Sequence, residues 1–554
     1  MQSLHNHSVY SLLTGTIPVE SLISFAKKSG SGFVALTDTN AMYGLIHFAK
    51  IAKEEGIKPI LGAKIDDPKN PEDYLVVIAK NNEGYSELCR LVTTRKLKDD
   101  FSLQTAIKNI SDNLFFFTSS LEVIRFCIDD KDISTKNLYV ELIITEKQKK
   151  RTRELYNFAK SKNLKILASH PTYFASKNDF LLHKVVTAIR ENKTLENLDE
   201  SLLVDEESFL QSSEEFRAKW KALPEAIWNI EDIVRNSNVD LEFGKYKFPL
   251  FPLPTGETPF SYLWKISFRG LEARFKPITE KAVKRLQYEL EVIDELGFCD
   301  YFLVVWDIVR EAHSRRMVTI GRGSAANSLV AYCLGLTQVD PLEHNLYFER
   351  FLNRGRTSPP DVDLDFSWKE RDEIVKYVFE KYGYDKVAMI STHVTFRARS
   401  AFRETAKVFG ISNREISKYS KFIPWTSAKN LPELAKKFPE SKSLSFENEP
   451  WSTIIEIASK LSGFPRHLSI HPGGIVITKN PITSYVGLEY AQNKGLGIIV
   501  TQPDMYPIED MGLIKIDLLS QRSLGVLRDT LDKLEKRTEK RTDVRLFNLN
   551  AEIE

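Results

Sequence analysis

Residues 359–366 read PPDVDLDF, and three aspartates there, Asp361, Asp363 and Asp365, alternate with Val362, Leu364 and Phe366. Residues two apart in a strand share a face, so this spacing stacks three carboxylates on one side and turns the apolar residues inward. Like charges side by side repel, and aspartate is a poor strand former. A solvated edge strand would more naturally carry Thr, Lys or Glu. A divalent cation removes the conflict, because hard Mg²⁺ is held by carboxylate and phosphate oxygens. A further carboxylate, Asp517 in GLIKIDLL, shares a face with Lys515, opposite Ile514, Ile516 and Leu518. Taken alone, that pair reads as a surface couple at a strand end. Two aspartates from one strand and one from a later strand can hold two metal ions for an in-line displacement at phosphorus. The chemistry that fits is nucleotidyl transfer, with a 3′-hydroxyl attacking and pyrophosphate leaving.

A phosphate-binding turn stands upstream. In IGRGSAANSL the predicted strand MVTI runs into Gly321, Arg322, Gly323 and Ser324, and a helix is predicted to follow. Glycines allow close backbone approach, and amides at a helix start bind phosphate oxygens. The same turn also reads as an ordinary helix start capped by Ser324. It is neither a Walker A loop nor a dinucleotide fingerprint. Beside a carboxylate strand it becomes a triphosphate site, with Arg322, Gly323, Ser324 and Lys515 as nucleotide-binding candidates. In FRARSAFRETAKVFG, Arg399, Arg403 and Lys407 recur every four residues. They form a row suited to DNA phosphates, although a solvated helix face has the same pattern. Arg350, Arg354 and Arg356 lead into the acidic strand. In RHLSIHPGG, Pro472 and the glycines exclude a helical pair of His467 and His471, and close backbone packing near substrate is expected.

These groups need a scaffold. Short apolar runs alternate with amphipathic segments up to about residue 240, from SLHNHSV and GFVALTD through IKPILGAKI, YLVVIAK, NLFFFTS, NLYVELI and KILASH. This rhythm predicts an α/β domain. The proline-rich KYKFPLFPLPTGETP reads as a linker. Helices are expected at about 280–296 and 301–315, and a basic helical stretch at 396–463. Strands in GGIVIT, GLGIIVTQ and GLIKIDLL then follow. A chain of 554 residues should hold two to four domains. Lys and Arg number 77 against 75 Asp and Glu, a balance that neither requires nor excludes a nucleic-acid partner. Cys89, Cys127, Cys299 and Cys333 show no metal or disulfide spacing, which suits a reducing cytosol. MQSLHNHSVYSLL has no cationic leader, and no stretch reaches transmembrane length, so a cytoplasmic protein without a membrane partner is expected.

The run GRGSAANSLVAYCLGLTQVDPLEHNLYFERFLNRGRTSPPDVDLDF, the later HPGGIVIT and GLIKID, and the N-terminal LHNHSVYSLL and ALTD resemble the bacterial C-family DNA polymerases, the alpha-subunit family of DNA polymerase III. SAANS and FPRHLS resemble the family's error-prone branch more than its main replicase. The resemblance implies an α/β multidomain chain. Residues 1–240 would be a barrel-like PHP (polymerase and histidinol phosphatase) domain. Residues 241–395 and 465–525 would form a polymerase-beta-like nucleotidyltransferase palm, 396–464 a helical thumb, and 526–554 the start of the fingers. By the same resemblance Asp363 and Asp365 are the paired catalytic carboxylates, Asp517 is the third, and together they bind two Mg²⁺. Asp361 shares the motif without being a ligand, and Gly323 with Ser324 holds the incoming triphosphate. The implied substrates are dNTPs and primer–template DNA. A sliding clamp and other subunits would dock on regions that follow the third aspartate in the family. This chain ends 37 residues past Asp517, so it is expected to need the absent fingers for activity.

In the PHP domain, His5, His7 and Asp38 match metal-ligand positions. Asn40, Lys64, Tyr74 and ILASHPTYF depart from the pattern and leave His170 unaligned. A lysine among metal ligands opposes a cation, so a degenerate, structural domain without Zn²⁺ or Mn²⁺ is expected. Two other functions compete with polymerisation: a metal-dependent phosphoesterase or 3′-exonuclease at His5, His7 and Asp38, and a non-catalytic DNA-binding fragment.

Overall fold

Runs such as FVAL and YLVVIA offer almost no polar side chain to a solvent face, and the chain buries them on both sides. In the computed structural model, which describes residues 2–355, 360, 362–491 and 498–538, these runs build a six-stranded sheet in chain order. Its strands are β1 (Phe33–Leu36), β2 (Lys58–Asp66), β3 (Tyr74–Ala79), β4 (Leu114–Thr118), β5 (Leu138–Ile143) and β6 (Lys165–Ser169). β1 and β2 are parallel, β2–β3–β4 antiparallel, and β4–β5–β6 parallel again. The expected strand in SLHNHSV is reduced to an isolated bridge at Asn6. That bridge spans the two edges of the sheet. The Thr37 amide, just past β1, donates to the Asn6 carbonyl at 2.8 Å, and the His7 amide donates to the carbonyl of Thr172, just past β6, also at 2.8 Å. His5 and His7 are thereby fixed where the sheet curls back on itself.

The chain divides into two compact units, one of Met1–Phe243, Ser391–Ser469 and Thr483–Pro507, the other of Gly244–Ile390, Ile470–Ile482 and Ile508–Glu554. The second unit opens with the helices Pro259–Arg274, Glu280–Glu295 and Cys299–Ser314, followed by β7 (Thr319–Arg322) and β8 (Asp363–Ser367). The chain leaves it along β9 (Val387–Thr395) and re-enters along β10 (Pro465–Ile477). The intervening helices belong to the first unit. Phe396 and, from the helix Ala398–Val408, Phe402 and Ala406, with Ile454 and Ile457 from Trp451–Lys460, share a core with Leu182, Val185 and Val186 of the helix Phe180–Glu191. The antiparallel pair β11 (Leu488–Tyr490) and β12 (Ile499–Asp504) also lies in the first unit. There the Tyr43 hydroxyl donates to Glu489 Oε2 at 2.6 Å, and Gln502 Oε1 accepts the Met42 amide at 2.8 Å.

β13 (Lys515–Gln521) returns to the second unit. It runs antiparallel to β10 and parallel to β8, which is antiparallel to β7. As expected, Pro472 and the glycines do not lie in a helix; β10 runs through them as a strand. Gly473 and Gly474 make this possible: a Cβ on Gly473 would stand 2.5 Å from Leu519 Cδ2 of the facing strand. Among the described residues no helix is long and apolar enough to cross a membrane.

Candidate active site

The strand register aligns the acidic residues. Arg322 of β7 pairs with Asp363 of β8, Asp363 with Asp517 of β13, and Asp517 with Gly474 of β10, so these residues form one row across four strands. Paired residues share a face, and Asp365, two along from Asp363, joins it. Val362, Leu364 and Phe366 are fully buried on the other side. Asp361 and Arg356 lie outside the described residues.

Cations meet this face. Arg322 Nε stands 3.6 Å from an oxygen of both Asp363 and Asp365. Lys515 Nζ is 2.7 Å from Asp517 Oδ2. Gln521 donates to Asp365 Oδ1 at 3.3 Å, and Arg371 Nε donates to the Leu518 carbonyl at 2.9 Å. The other oxygen of Asp517 is buried and has no hydrogen-bond partner. His471 Nδ1 approaches it to 3.6 Å, but that nitrogen accepts the Gly474 amide at 2.7 Å. Burial also holds the His471 imidazole below its ordinary pKa, with Lys515 and Arg371 adding to the shift against Asp517. The neutral ring's Nδ1, already accepting the Gly474 amide, has no proton to give Asp517. Among the described residues, no three His, Cys, Asp or Glu side chains are grouped tightly enough to hold a metal ion.

The expected phosphate turn is built differently from its sequence. A 3₁₀ turn covers Gly323–Asn327, and the helix begins only at Leu329, capped by Ser328 rather than Ser324. Its first amides are already taken. The Leu329 and Val330 N–H groups donate to the two oxygens of Glu289 at 2.9 and 3.0 Å, and the Ser328 hydroxyl donates to the same carboxylate at 2.8 Å. Glu289 is fully buried, and Arg285 Nε holds it at 2.6 Å. A protein carboxylate thus occupies the anion position at this helix start. Gly321 does provide a close approach, since a Cβ there would fall 2.0 Å from the Leu336 carbonyl oxygen. Gly323, at φ +74°, takes the left-handed turn toward Ser324.

The basic candidates have partners inside the protein. Arg399 donates to the Ile423 carbonyl at 2.6 Å, Arg403 to Ser420 Oγ at 3.1 Å, and Lys407 pairs with Glu404 at 3.3 Å. Arg354 is bidentate to Glu295 at 2.6 and 3.0 Å. Arg350 is exposed.

A second polar cluster sits in the first unit. His5 Nδ1 is 2.7 Å from Glu141 Oε1, which also accepts the Ser169 hydroxyl, while Glu141 Oε2 accepts the Tyr74 hydroxyl at 2.6 Å. Against the cost of burial, His5, Ser169 and Tyr74 hold this carboxylate below its usual range. His7 Nδ1 contacts Ser11 Oγ at 2.9 Å, and Ser11 Oγ donates to Asp38 Oδ1. Ser8 fills the rest of Asp38 through its amide and hydroxyl. Buried in this way, Asp38 is pushed up to about 6. The Nε2 atoms of His5 and His7 are both buried without hydrogen-bond partners, and the two rings lie 5.0 Å apart. Both imidazoles are thus oriented through Nδ1, as metal-binding histidines are. Lys64, however, projects here from β2. Its Nζ lies 3.4 Å from the Tyr173 hydroxyl and 4.3 Å from the centre of the Tyr74 ring. Burial alone would lower its pKa, but Tyr173, Asp66 and Glu141 outweigh that and raise it, so the ammonium stays charged. Burial, His5 and Lys64 together hold His7 well below its ordinary value. His170 points elsewhere, with Nε2 2.8 Å from the Phe209 carbonyl. Sequence reasoning missed Glu141 and Ser11, which orient the two histidines; an acidic residue inside the apolar run YVELI was the available signal.

Two family profiles match the chain: the PHP domain over residues 3–131, and the bacterial DNA polymerase III alpha NTPase domain over 261–520. The chain thus carries a PHP domain followed by a bacterial DNA polymerase III alpha NTPase domain. Among similar proteins, the DNA polymerase III subunit alpha of Bacillus subtilis is 34% identical over 96% of this chain and 49% of its own length. That of Borreliella burgdorferi is 34% identical over 95% and 49%. An error-prone DNA polymerase of Symbiobacterium thermophilum is 30% identical over 95% and 52%. The chain spans about half the length of the curated relatives it matches.

Proposed function

We propose that this chain carries the nucleotidyl-transfer site of a DNA-directed DNA polymerase, with Asp363, Asp365 and Asp517 holding Mg²⁺. The observation that carries the reading is the buried, unpartnered Oδ1 of Asp517, set beside Asp363 in the strand register. A buried carboxylate oxygen with no donor is costly unless a cation completes it. Bound there, two Mg²⁺ ions would neutralise the carboxylates and supply charge stabilisation to the attacking 3′-oxygen and the leaving pyrophosphate. The protein's own part is positioning. Arg322 and Lys515 balance the aspartates in the absence of substrate, and both are placed to pass to the phosphates of an incoming dNTP. The Gly323–Ser324 turn, rather than the helix amides that Glu289 has taken, contributes the backbone approach to the triphosphate.

The remaining divisions fit the same reading. Residues 241–395 and 465–525 act as the palm, and 396–464 as a thumb on the DNA, although its core lies with the PHP domain in the first unit. Of the proposed finger start at 526–554, residues 526–538 belong to the helix Arg522–Thr538 and 539–554 lie outside the described residues. The PHP cluster is structural in this proposal, with the Lys64 ammonium as its resident cation. The test is primer extension with Mg²⁺ and dNTPs, using the chain fused to the C-terminal half of a relative. Asp363→Ala and Asp365→Ala should abolish extension, and intact extension in either variant would refute the assignment.

A further inference from the structure

Trp425 is 86% exposed, more than any other large apolar side chain among the described residues. The loop that bears it is nevertheless tightly held. Arg399 donates twice to the Ile423 carbonyl, at 2.6 and 3.1 Å, just before Pro424. Past the tryptophan, the Ala398 amide donates to the Thr426 carbonyl at 3.0 Å, and Asn430 donates to Thr426 Oγ1 at 2.7 Å. Ser427 Oγ then meets Ser462 Oγ at 2.8 Å. Ile423 and Ala428, on either side, are fully buried. A tryptophan left bare on a mobile loop would say little, but here a fixed backbone holds an indole out in water, a placement that gains nothing for folding.

The surroundings say what the ring can receive. Over 396–430 the sequence carries eight cations, Arg397, Arg399, Arg403, Lys407, Arg414, Lys418, Lys421 and Lys429, against Glu404 and Glu415, while the whole chain is only +2. Arg397, Lys421 and Lys429 are exposed, and none of the three is ion-paired among the described residues. The Arg397 guanidinium stands 5.9 Å from the Trp425 ring, and Lys421 Nζ stands 4.8 Å from the ring of Phe422, which is 37% exposed. Two accessible aromatic faces, each beside a cation with no acidic partner, match a strand whose bases stack while its phosphates are neutralised. The exposed cations Arg397, Lys421 and Lys429, which form no ion pair among the described residues, favour a polyanion as the partner.

We propose that Trp425, with Phe422, Arg397 and Lys421, forms a stacking platform for unpaired nucleotides of single-stranded DNA. This rests on the DNA reading above and adds to it a distinction between unpaired and paired substrate. The experiment is fluorescence anisotropy of the whole chain with two labelled DNAs of equal duplex length, one blunt and one carrying a single-stranded tail. Wild type should prefer the tailed DNA. Trp425→Ala should weaken binding to it about five- to a hundredfold and leave the blunt duplex within about twofold, whereas Trp425→Phe should keep most of the preference. Lys421→Ala should reduce the salt dependence of tailed binding by about one ion. Because Trp425 is exposed, an unchanged melting temperature should accompany each variant. Unchanged tailed binding in Trp425→Ala, or an equal loss on both DNAs, overturns the platform while sparing the DNA reading. Failure of wild type to bind either DNA overturns both.

Discussion

The acidic row of β8 and β13 and the His5–His7 cluster near β2 both gather residue types that can ligate metals, yet they balance charge in different ways. In the acidic row the counter-charges are Arg322, at 3.6 Å from two carboxylates, and Lys515, which satisfies one oxygen of Asp517 and leaves the other bare. In the histidine cluster every carboxylate oxygen is occupied, by Ser8 and Ser11 on Asp38 and by His5, Ser169 and Tyr74 on Glu141. A charged lysine stands among the groups. The first leaves one buried oxygen of Asp517 without a hydrogen bond, and the second has a partner for every carboxylate oxygen.

The largest expected effect is on the acidic row. Asp363→Asn or Asp365→Asn in the fused polymerase should cut the rate of primer extension about a thousandfold or more, read from single-turnover kinetics. His5→Asn should leave that rate within about threefold. The next effect bears on the histidine cluster. Lys64→Glu removes the internal cation and adds a carboxylate beside two imidazoles already oriented through Nδ1, so calorimetric affinity for Zn²⁺ or Mn²⁺ in this unit should rise at least about a hundredfold. If wild type already binds one such ion there, the lysine does not play the part assigned to it.

Some of this contrast was legible in the sequence. The period-two aspartates in PPDVDLDF carry their shared face openly, and Lys64 stood out as a cation among the metal-ligand positions. The register that sets Asp517 beside Asp363 was not, because parallel pairing of strands 150 residues apart depends on the tertiary fold. Glu289 was hidden for the same reason. It lies mid-helix in an ordinary amphipathic pattern, and only folding brings it to the amides of Leu329 and Val330. The absence of a helix at Pro472 was legible from the proline and glycines, but the strand there was not, because it depends on pairing with β13.

Smaller effects sharpen the comparison. Arg322→Ala should strengthen Mn²⁺ binding at the acidic row by a few-fold, at most about tenfold, since its guanidinium is half-exposed and screened. The same change should weaken dNTP binding, measured by competition with a fluorescent analogue. Acid should act on the first unit. Burial lowers His170 and His183 to about 4, so each is neutral when folded and titrates near 6.5 when unfolded. Their contribution is fully present above pH 6.5 and is lost as pH falls toward 4, on the order of 3 kcal/mol each. Thermal melts between pH 7.5 and 5 should show that decline, and it should flatten when both histidines are replaced by Asn.

As proposed, the carboxylates of the acidic row take the divalent cation and the histidine cluster does not. Electron paramagnetic resonance of Mn²⁺ titrated into the whole chain tests it most directly, comparing wild type with Asp365→Asn and His7→Asn. Bound Mn²⁺ should be lost in Asp365→Asn and retained in His7→Asn. Retention in Asp365→Asn with loss in His7→Asn would contradict it.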